Sequence, residues 1–162
     1  TEAIVENGAG LVVDDEKCWR CGRCERVCPE GAIQLDKRGE DEFQMALAEG
    51  AQAVLRTFEP GKVLYFNFVL EVQPECDCMP MADTPVVQDQ GILASTDIVA
   101  VDQAALDLIN RGVPLPGSLA EDRVLKVGQR ILTEALGVDG QLHIDAAARI
   151  GMGSREYELI EV

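Results

Sequence analysis

Four cysteines within eleven positions constrain this chain more than any other feature of its sequence. They are Cys18, Cys21, Cys24 and Cys28, and Pro29 follows the last of them. The spacing C-x2-C-x2-C-x3-C-P suits an iron–sulfur cube, because three thiolates separated by two-residue gaps reach three irons from one tight loop. The alternatives are idle thiols or a zinc site, although zinc sites usually pair two separate cysteine knuckles. We therefore predict that these four cysteines bind a [4Fe–4S] cluster.

Basic side chains are concentrated around these cysteines. Four of the chain's 14 Lys and Arg residues, Lys17, Arg20, Arg23 and Arg26, fall in this stretch. They are interpreted either as a solvated face or as positive charge that favours reduction of an anionic cluster and marks a docking patch for an acidic redox partner. Trp19 is expected to shield the cluster from water rather than to relay electrons.

The cysteine stretch resembles the repeating unit of bacterial ferredoxins, over roughly residues 1–35. In two-cluster ferredoxins the fourth cysteine of each motif binds the other cluster. The resemblance therefore implies that Cys18, Cys21 and Cys24 hold one cluster while Cys28 reaches toward a second. It also implies electron transfer as the function and a protein as the redox partner.

A short internal sequence similarity bears on the identity of the fourth cluster ligand. Residues 1–4 read TEAI and residues 30–33 read EGAI, so aligning them places a Cys-Pro pair just before Thr1. Two unrelated turns would give the same similarity. We expect a second motif upstream in a longer protein, which would then carry two clusters. If the chain is complete, Cys28 or a later cysteine is the fourth ligand.

Charge and hydropathy exclude several classes of partner. Asp and Glu number 29 against 14 Lys and Arg, which gives a net charge of −15. Such a chain is repelled by nucleic acid and by anionic membrane surfaces. The longest apolar run, 63–72, is interrupted by Asn67 and is too short to span a membrane. Because clustered cysteines indicate metal in a reducing compartment, we expect a cytoplasmic protein.

Behind the cysteines the sequence predicts an alternation of helices and strands. Helices are predicted over 42–58, 98–110, 119–136 and 144–150, and strands over 63–72, 91–96 and 156–162. We therefore expect an α/β protein, with a small ferredoxin-like α+β module at 1–38 followed by a layered α/β domain at 39–162.

Helix boundaries are predicted from capping residues. Asp41, with Gln44 as its reciprocal partner, is expected to begin the first of these helices, and Asp97 to begin the helix after the 91–96 strand. Ser118 with Glu121 forms a capping box. Gly112 and Gly137 are expected to end their helices.

A second candidate site lies in the loop after the 63–72 strand. Cys76, Asp77 and Cys78 stand between prolines, in a stiff loop that suits a metal or redox chemistry, although two half-buried cysteines are an equal alternative. If the 91–96 strand is a parallel neighbour, it brings Asp97 to the same sheet edge, beside this loop and Asp83. We expect a ligand or metal pocket there, with thiolates for a soft metal and aspartates for a hard one.

The stretch 67–109, with its PECDC, GILAST and DIVAVDQAALDLI runs, resembles a prokaryotic family without assigned function, domain-of-unknown-function family 362. The C-terminal GMGSREYELIEV run is also typical of it. The resemblance implies an iron–sulfur protein in which the CDC and aspartate segments recur, and it implies no established reaction. The alternatives to electron transfer are a redox enzyme whose CDC and aspartate loops are fed by the cluster, and a cluster that only staples the fold. His143, the single histidine, is assigned no role.

Overall fold

The structure, a computed structural model, describes residues 2–8, 10–18, 23–34, 39–74, 83–137 and 139–162. The chain divides into a first unit, Thr1–Gly39, and a second unit, Glu40–Val162. None of the described helices is long and apolar enough to cross a membrane.

The first unit begins with an antiparallel hairpin that the sequence analysis did not predict. Strands β1 (Ile4–Asn7) and β2 (Gly10–Val13) pair from Ile4 opposite Val13 to Asn7 opposite Gly10. The turn lies between Asn7 and Gly10, and Gly10 has a φ of 129°, which favours glycine. After the cysteine-bearing turn, the short helix α1 spans Arg23–Val27.

The second unit combines one two-stranded sheet with five helices among its described residues. The strands are β3 (Tyr65–Val69) and β4 (Gly91–Ser95). The helices are α2 (Glu40–Leu55), α3 (Ile98–Arg111), α4 (Leu119–Asp122), α5 (Ile131–Leu136) and α6 (Gly140–Arg149). The class is therefore mixed α and β, with small antiparallel sheets in both units.

The expectation that the two long strands are parallel is wrong. β3 and β4 pair antiparallel, with Tyr65 opposite Ser95 and Val69 opposite Gly91. Pairing continues beyond the strands, since the amide of Val86 donates to the carbonyl of Val72 at 2.8 Å. Parallel neighbours need a long crossover, usually a helix, and the described part of the connection contains none. β3 and β4 thus form a long hairpin.

Only one face of this hairpin is covered. Every second residue of β3, namely Tyr65, Asn67 and Val69, is at least partly buried. These residues form the face covered by α3, which packs against both strands. On the other face Phe66, Phe68 and Ile92 remain 59, 62 and 58% exposed. The apolar runs therefore form strands with alternating burial, in which one face is left exposed.

Small side chains build the core of the second unit. One buried cluster lies where α6 packs against α2 and α3, and it comprises Ala48, Val99, Ile144, Ala146 and Ala147. A second cluster joins the hairpin return, the segment around Val86 and Val87 that leads into β4, to α4 and α5. It comprises Val86, Val87, Ala120 and Ile131. Both clusters consist of Ala, Val and Ile, in keeping with an aromatic content of only 4%.

Two predicted helix starts are confirmed and one is wrong. The side chain of Asp97 accepts hydrogen bonds from the first turn of α3. Ser118 caps α4 by accepting a hydrogen bond from the amide of Glu121. The Glu121 carboxylate in turn accepts one from the amide of Gly117 at 2.7 Å. α2 begins at Glu40, which places Asp41 inside its first turn instead of at the cap.

The predicted continuous helix over 119–136 is wrong, because two residues with positive φ angles interrupt it. Val124 and Gly128 adopt φ angles of 57° and 88°, which no right-handed helix accommodates, so the chain forms α4 and α5 separately. α5 ends at Gly137 in the left-handed region, as predicted. Gly112 also ends α3 as predicted, but for a different reason: a Cβ there would lie 2.9 Å from that of Val87.

The last predicted strand is also wrong. The segment after α6 has no regular secondary structure, and its side chains attach it to the helices. The hydroxyl of Tyr157 donates to Asp107 on α3 at 2.7 Å, and Arg155 pairs with Asp145 on α6 at 2.7 Å. The C-terminal segment is thus held by polar contacts where the sequence suggested a sheet.

Candidate metal centre

Three of the four motif cysteines belong to the described residues. Cys18, Cys24 and Cys28 are half-buried and are not in disulfides. Cys18 ends a turn in which its amide donates to the carbonyl of Asp14 at 2.9 Å. The Asp14 side chain reinforces this turn, because one oxygen accepts from the amide of Glu16 at 3.0 Å and the other pairs with Lys17 at 3.4 Å.

Cys24 lies in α1 and Cys28 follows the end of that helix. Cys21 and Gly22 lie outside the described residues, as do Trp19 and Arg20.

Backbone amides surround the sulfur of Cys28. The amide of Gly31 donates to the Cys28 carbonyl at 3.2 Å, and the amide of Ala32 donates to its Sγ at 3.4 Å. Gly31 has a φ of 58°, a left-handed conformation that tightens this turn at no cost to glycine. Hydrogen bonds from the amide of Ala32, and then from those of Glu30, Ile33 and Gly31, lower the pKa of the Cys28 thiol against the opposing effect of burial. The turn therefore favours the thiolate, which is the form that binds metal.

The donor set of this unit fits an iron–sulfur cluster chemically. Free cysteine thiols and amide groups that donate to sulfur are what such clusters use in proteins. Within the described ranges, no three His, Cys, Asp or Glu side chains come together as a metal-binding group. The central ligand of the predicted set, Cys21, is outside those ranges.

The second predicted site is only partly described. Cys76, Asp77 and Cys78 lie in the segment 75–82, outside the described residues, so their metal binding stays a prediction. Asp83 accepts a hydrogen bond from the neighbouring amide of Thr84 at 2.7 Å, which is an ordinary turn contact.

Asp97 has a structural role, and the parallel sheet edge that was expected to bring it beside this loop is not formed. Because β3 and β4 are antiparallel, Asp97 follows the end of β4 that pairs with Tyr65, whereas the cysteine loop leaves the other end of β3. Four residues of strand, or about 13 Å, separate those ends. The Asp97 carboxylate is engaged by the amides of Val99 and Ala100 at 2.9 and 3.0 Å and by that of Ser154 at 2.8 Å.

One polar pair in the second unit was not predicted from the sequence. The Asn67 side-chain amide on β3 donates to Asp102 on α3 at 3.0 Å, and both residues are half-buried. The detectable signal was Asn67 itself, a polar residue in the middle of an apolar strand on its covered face.

The fold and the cysteine spacing define a small mixed α and β protein with a cysteine-rich N-terminal unit. The chain belongs to the family described as Domain of unknown function (DUF362), whose match covers residues 4–107 and thus includes parts of both units.

A second comparison concerns a shorter stretch. Over 39 residues the chain is 41% identical to pyruvate synthase subunit PorD of Methanocaldococcus jannaschii. This match covers 24% of the chain and 45% of that protein, so it spans less than half of the relative's length. No solved structure matches the chain significantly.

Proposed function

We propose that this chain is an iron–sulfur electron-transfer protein whose first unit holds a [4Fe–4S] cluster through Cys18, Cys21 and Cys24. The observation that carries the proposal is the amide of Ala32 on the sulfur of Cys28, within a motif of the C-x2-C-x2-C-x3-C-P spacing. Amide hydrogen bonds to cysteine sulfur stabilise the thiolate and, in clusters, influence the reduction potential.

The residues of the first unit have distinct roles in this proposal. When bound, the cluster supplies one-electron oxidation and reduction. Asp14 fixes the turn that presents Cys18, because its side chain and carbonyl accept hydrogen bonds from this turn. Gly31 permits the turn that directs amides at Cys28. Cys28 serves either this cluster as the fourth ligand or a neighbouring one.

We further propose that the electron partner is another protein. The similarity to a subunit of pyruvate synthase supports a protein that works in a complex. The basic stretch containing Lys17, Arg20, Arg23 and Arg26 is the proposed docking surface, because it contrasts with a chain of net charge −15. Free thiols support a reducing compartment, and we propose the cytoplasm.

The test begins with the full chain purified and reconstituted without oxygen. We expect about four irons and about four sulfides per chain, with an EPR signal after reduction by dithionite. Cys21→Ser and Cys24→Ser should lose or alter the cluster. The matched control is Val27→Ser, which changes an exposed side chain beside the motif without removing a thiol and should leave iron and EPR unchanged. Unaltered iron in both motif variants, or zinc in place of iron, would refute the proposal.

Cys28→Ser then distinguishes the two roles of Cys28. If its thiolate is the fourth ligand of this cluster, the variant should lose iron or change its EPR signal. If Cys28 belongs to another cluster, the iron count and the EPR signal of this chain should match those of the unmodified protein.

A further inference from the structure

We propose that the second unit binds a small organic cation with an apolar body, in a groove between β3, α3 and α6. The groove has a volume of about 330 Å³, which is within the range of small-molecule sites. Its polar residues are Asn67, Asp102 and His143, and its apolar wall includes Val69, Leu106 and Leu132. A mostly apolar groove with a few converging polar groups is typical of ligand sites. This inference concerns the second unit and is independent of the proposed cluster.

The charge in the groove identifies the ligand class. Oδ1 of Asp102 accepts from Asn67 at 3.0 Å, and its Oδ2 has no hydrogen-bond or ion-pair partner among the described residues. The ion pairs found among those residues involve Asp14, Asp139 and Asp145 instead. Oδ2 is not a buried atom, so water reaches it in the free protein, and a ligand that displaces this water must supply positive charge and hydrogen-bond donors in its place. An ammonium group provides both.

His143 also lines the groove, but its unsatisfied nitrogen is closed to a ligand there. Its Nδ1 is buried and has no hydrogen-bond partner within the described part of the chain. His143 and Asp102 also line a separate cavity of about 30 Å³ beside Ala48 on α2. That cavity has room for little more than water. An organic ligand therefore has room only in the larger groove, which Asp102 and His143 also line.

Anionic and neutral ligands fit this groove less well. A carboxylate or phosphate ligand would be repelled by Asp102 and by the net charge of −15. A neutral alcohol would leave the carboxylate without a counter-charge. The competing interpretation is purely structural: Asn67 and Asp102 pin β3 to α3, and His143 only fills space.

His143 provides the readout, because it is the chain's only histidine and gives a single set of imidazole signals. We would titrate the full chain with n-hexylamine, 1-hexanol and hexanoate near neutral pH and follow those signals by NMR. Hexylamine, which is then an ammonium ion, should shift them saturably and bind about tenfold or more tightly than hexanol. Hexanoate should give no saturable shift.

Asp102→Asn tests the charge, since the amide has the same shape and can still accept from Asn67. It should weaken hexylamine binding about tenfold and leave hexanol binding unchanged. Asp122→Asn, which removes an exposed carboxylate on α4, is the matched control and should have no effect.

The proposal is overturned if hexylamine and hexanol bind equally, or if hexylamine gives no saturable shift up to about 10 mM. An unchanged hexylamine affinity in folded Asp102→Asn also overturns it. The comparison of the three ligands on the unmodified protein decides the matter even if that variant fails to fold.

Discussion

Replacing Asp97 should destabilise the second unit more than the loss of an ordinary helix cap. One carboxylate oxygen accepts from the amides of Val99 and Ala100 in the first turn of α3, and the other accepts from the amide of Ser154. The side chain therefore joins a helix start to the C-terminal segment. A Cβ at Gly153 would overlap this carboxylate, which shows how closely the segment passes.

The expected cost of Asp97→Ala follows from these contacts. Loss of a helix cap costs about 1 kcal/mol. Loss of the negative charge at the helix N-terminus adds about 0.5 kcal/mol. The charged hydrogen bond to Ser154 adds about 1.5 kcal/mol, the low end for such bonds because Ser154 is exposed and its amide can be hydrated. The total is about 3 kcal/mol of unfolding free energy.

Asp97→Asn separates the cap from the second contact. Asparagine caps helices as well as aspartate does, but it has one acceptor oxygen, and its NH2 group cannot accept from Ser154. We therefore expect a loss of about 1.5 to 2 kcal/mol in this variant. If Asp97 were only a cap, Asp97→Asn would be as stable as the unmodified protein.

Urea unfolding followed by circular dichroism at 222 nm measures these losses, because five of the six described helices lie in the second unit. With a slope of about 2 kcal/mol per M, the midpoint should fall by about 1.5 M for Asp97→Ala. The amide of Ser154 should exchange faster with solvent in both variants. The reasoning fails if Asp97→Asn lies within about 0.5 kcal/mol of the unmodified protein and Ser154 exchanges at an unchanged rate.

Three further changes test other contacts of the second unit by the same unfolding assay. Gly153→Ala should cost about 1 to 3 kcal/mol, because the new methyl group meets the neighbouring carboxylate; an unchanged midpoint would contradict this. Burial, and then the hydrogen bond and charge of Asp107, raise the pKa of Tyr157, so its stabilisation is complete below pH of about 10 and is lost as pH rises through the raised pKa. Tyr157→Phe should reduce this alkaline loss and cost about 1 kcal/mol at neutral pH, whereas an unaltered stability profile would exclude the contact. Ile131→Ala at a fully buried position should cost about 2 to 5 kcal/mol, against about 0.5 kcal/mol or less for exposed Ile160→Ala; equal losses would refute the assigned core.

Local chemistry explains which parts of the fold could be predicted. The caps at Asp97 and Ser118 and the helix end at Gly137 depend on residues a few positions away, and all three are confirmed. The continuous helix over 119–136 was wrong because Val124 takes a left-handed conformation that its side chain does not favour. Tertiary contacts, such as the burial of Ile131 against the hairpin return, override the periodicity there.

Neither the direction of the strands nor the groove could be predicted from the sequence, because both depend on contacts between distant segments of the chain. The same apolar runs fit a parallel or an antiparallel pair, and only the pairing of Val69 with Gly91 decides between them. Asn67, Asp102 and His143 are far apart in the chain, and packing of three elements brings them to one groove. Cysteine spacing, in contrast, is a local pattern that can be found in the sequence, and the cluster that it indicates for the first unit stays a prediction. The hydrogen bond from the amide of Ala32 to the sulfur of Cys28 is a detail that this spacing does not specify.

The exposed face of the β3–β4 hairpin has a consequence for the colloidal behaviour of the protein. Phe66, Phe68 and Ile92 form an exposed apolar surface that favours association. In addition, neither strand has a second neighbour among the described residues, so both edges are open to pairing with another chain. Repulsion between chains of net charge −15 keeps such surfaces apart at neutral pH. Acidification toward pH of about 4 removes that charge, and about 1 M salt shortens its range to about 3 Å. Turbidity should therefore rise on acidification or salting, so low-salt neutral buffer is the condition in which the chain remains dispersed.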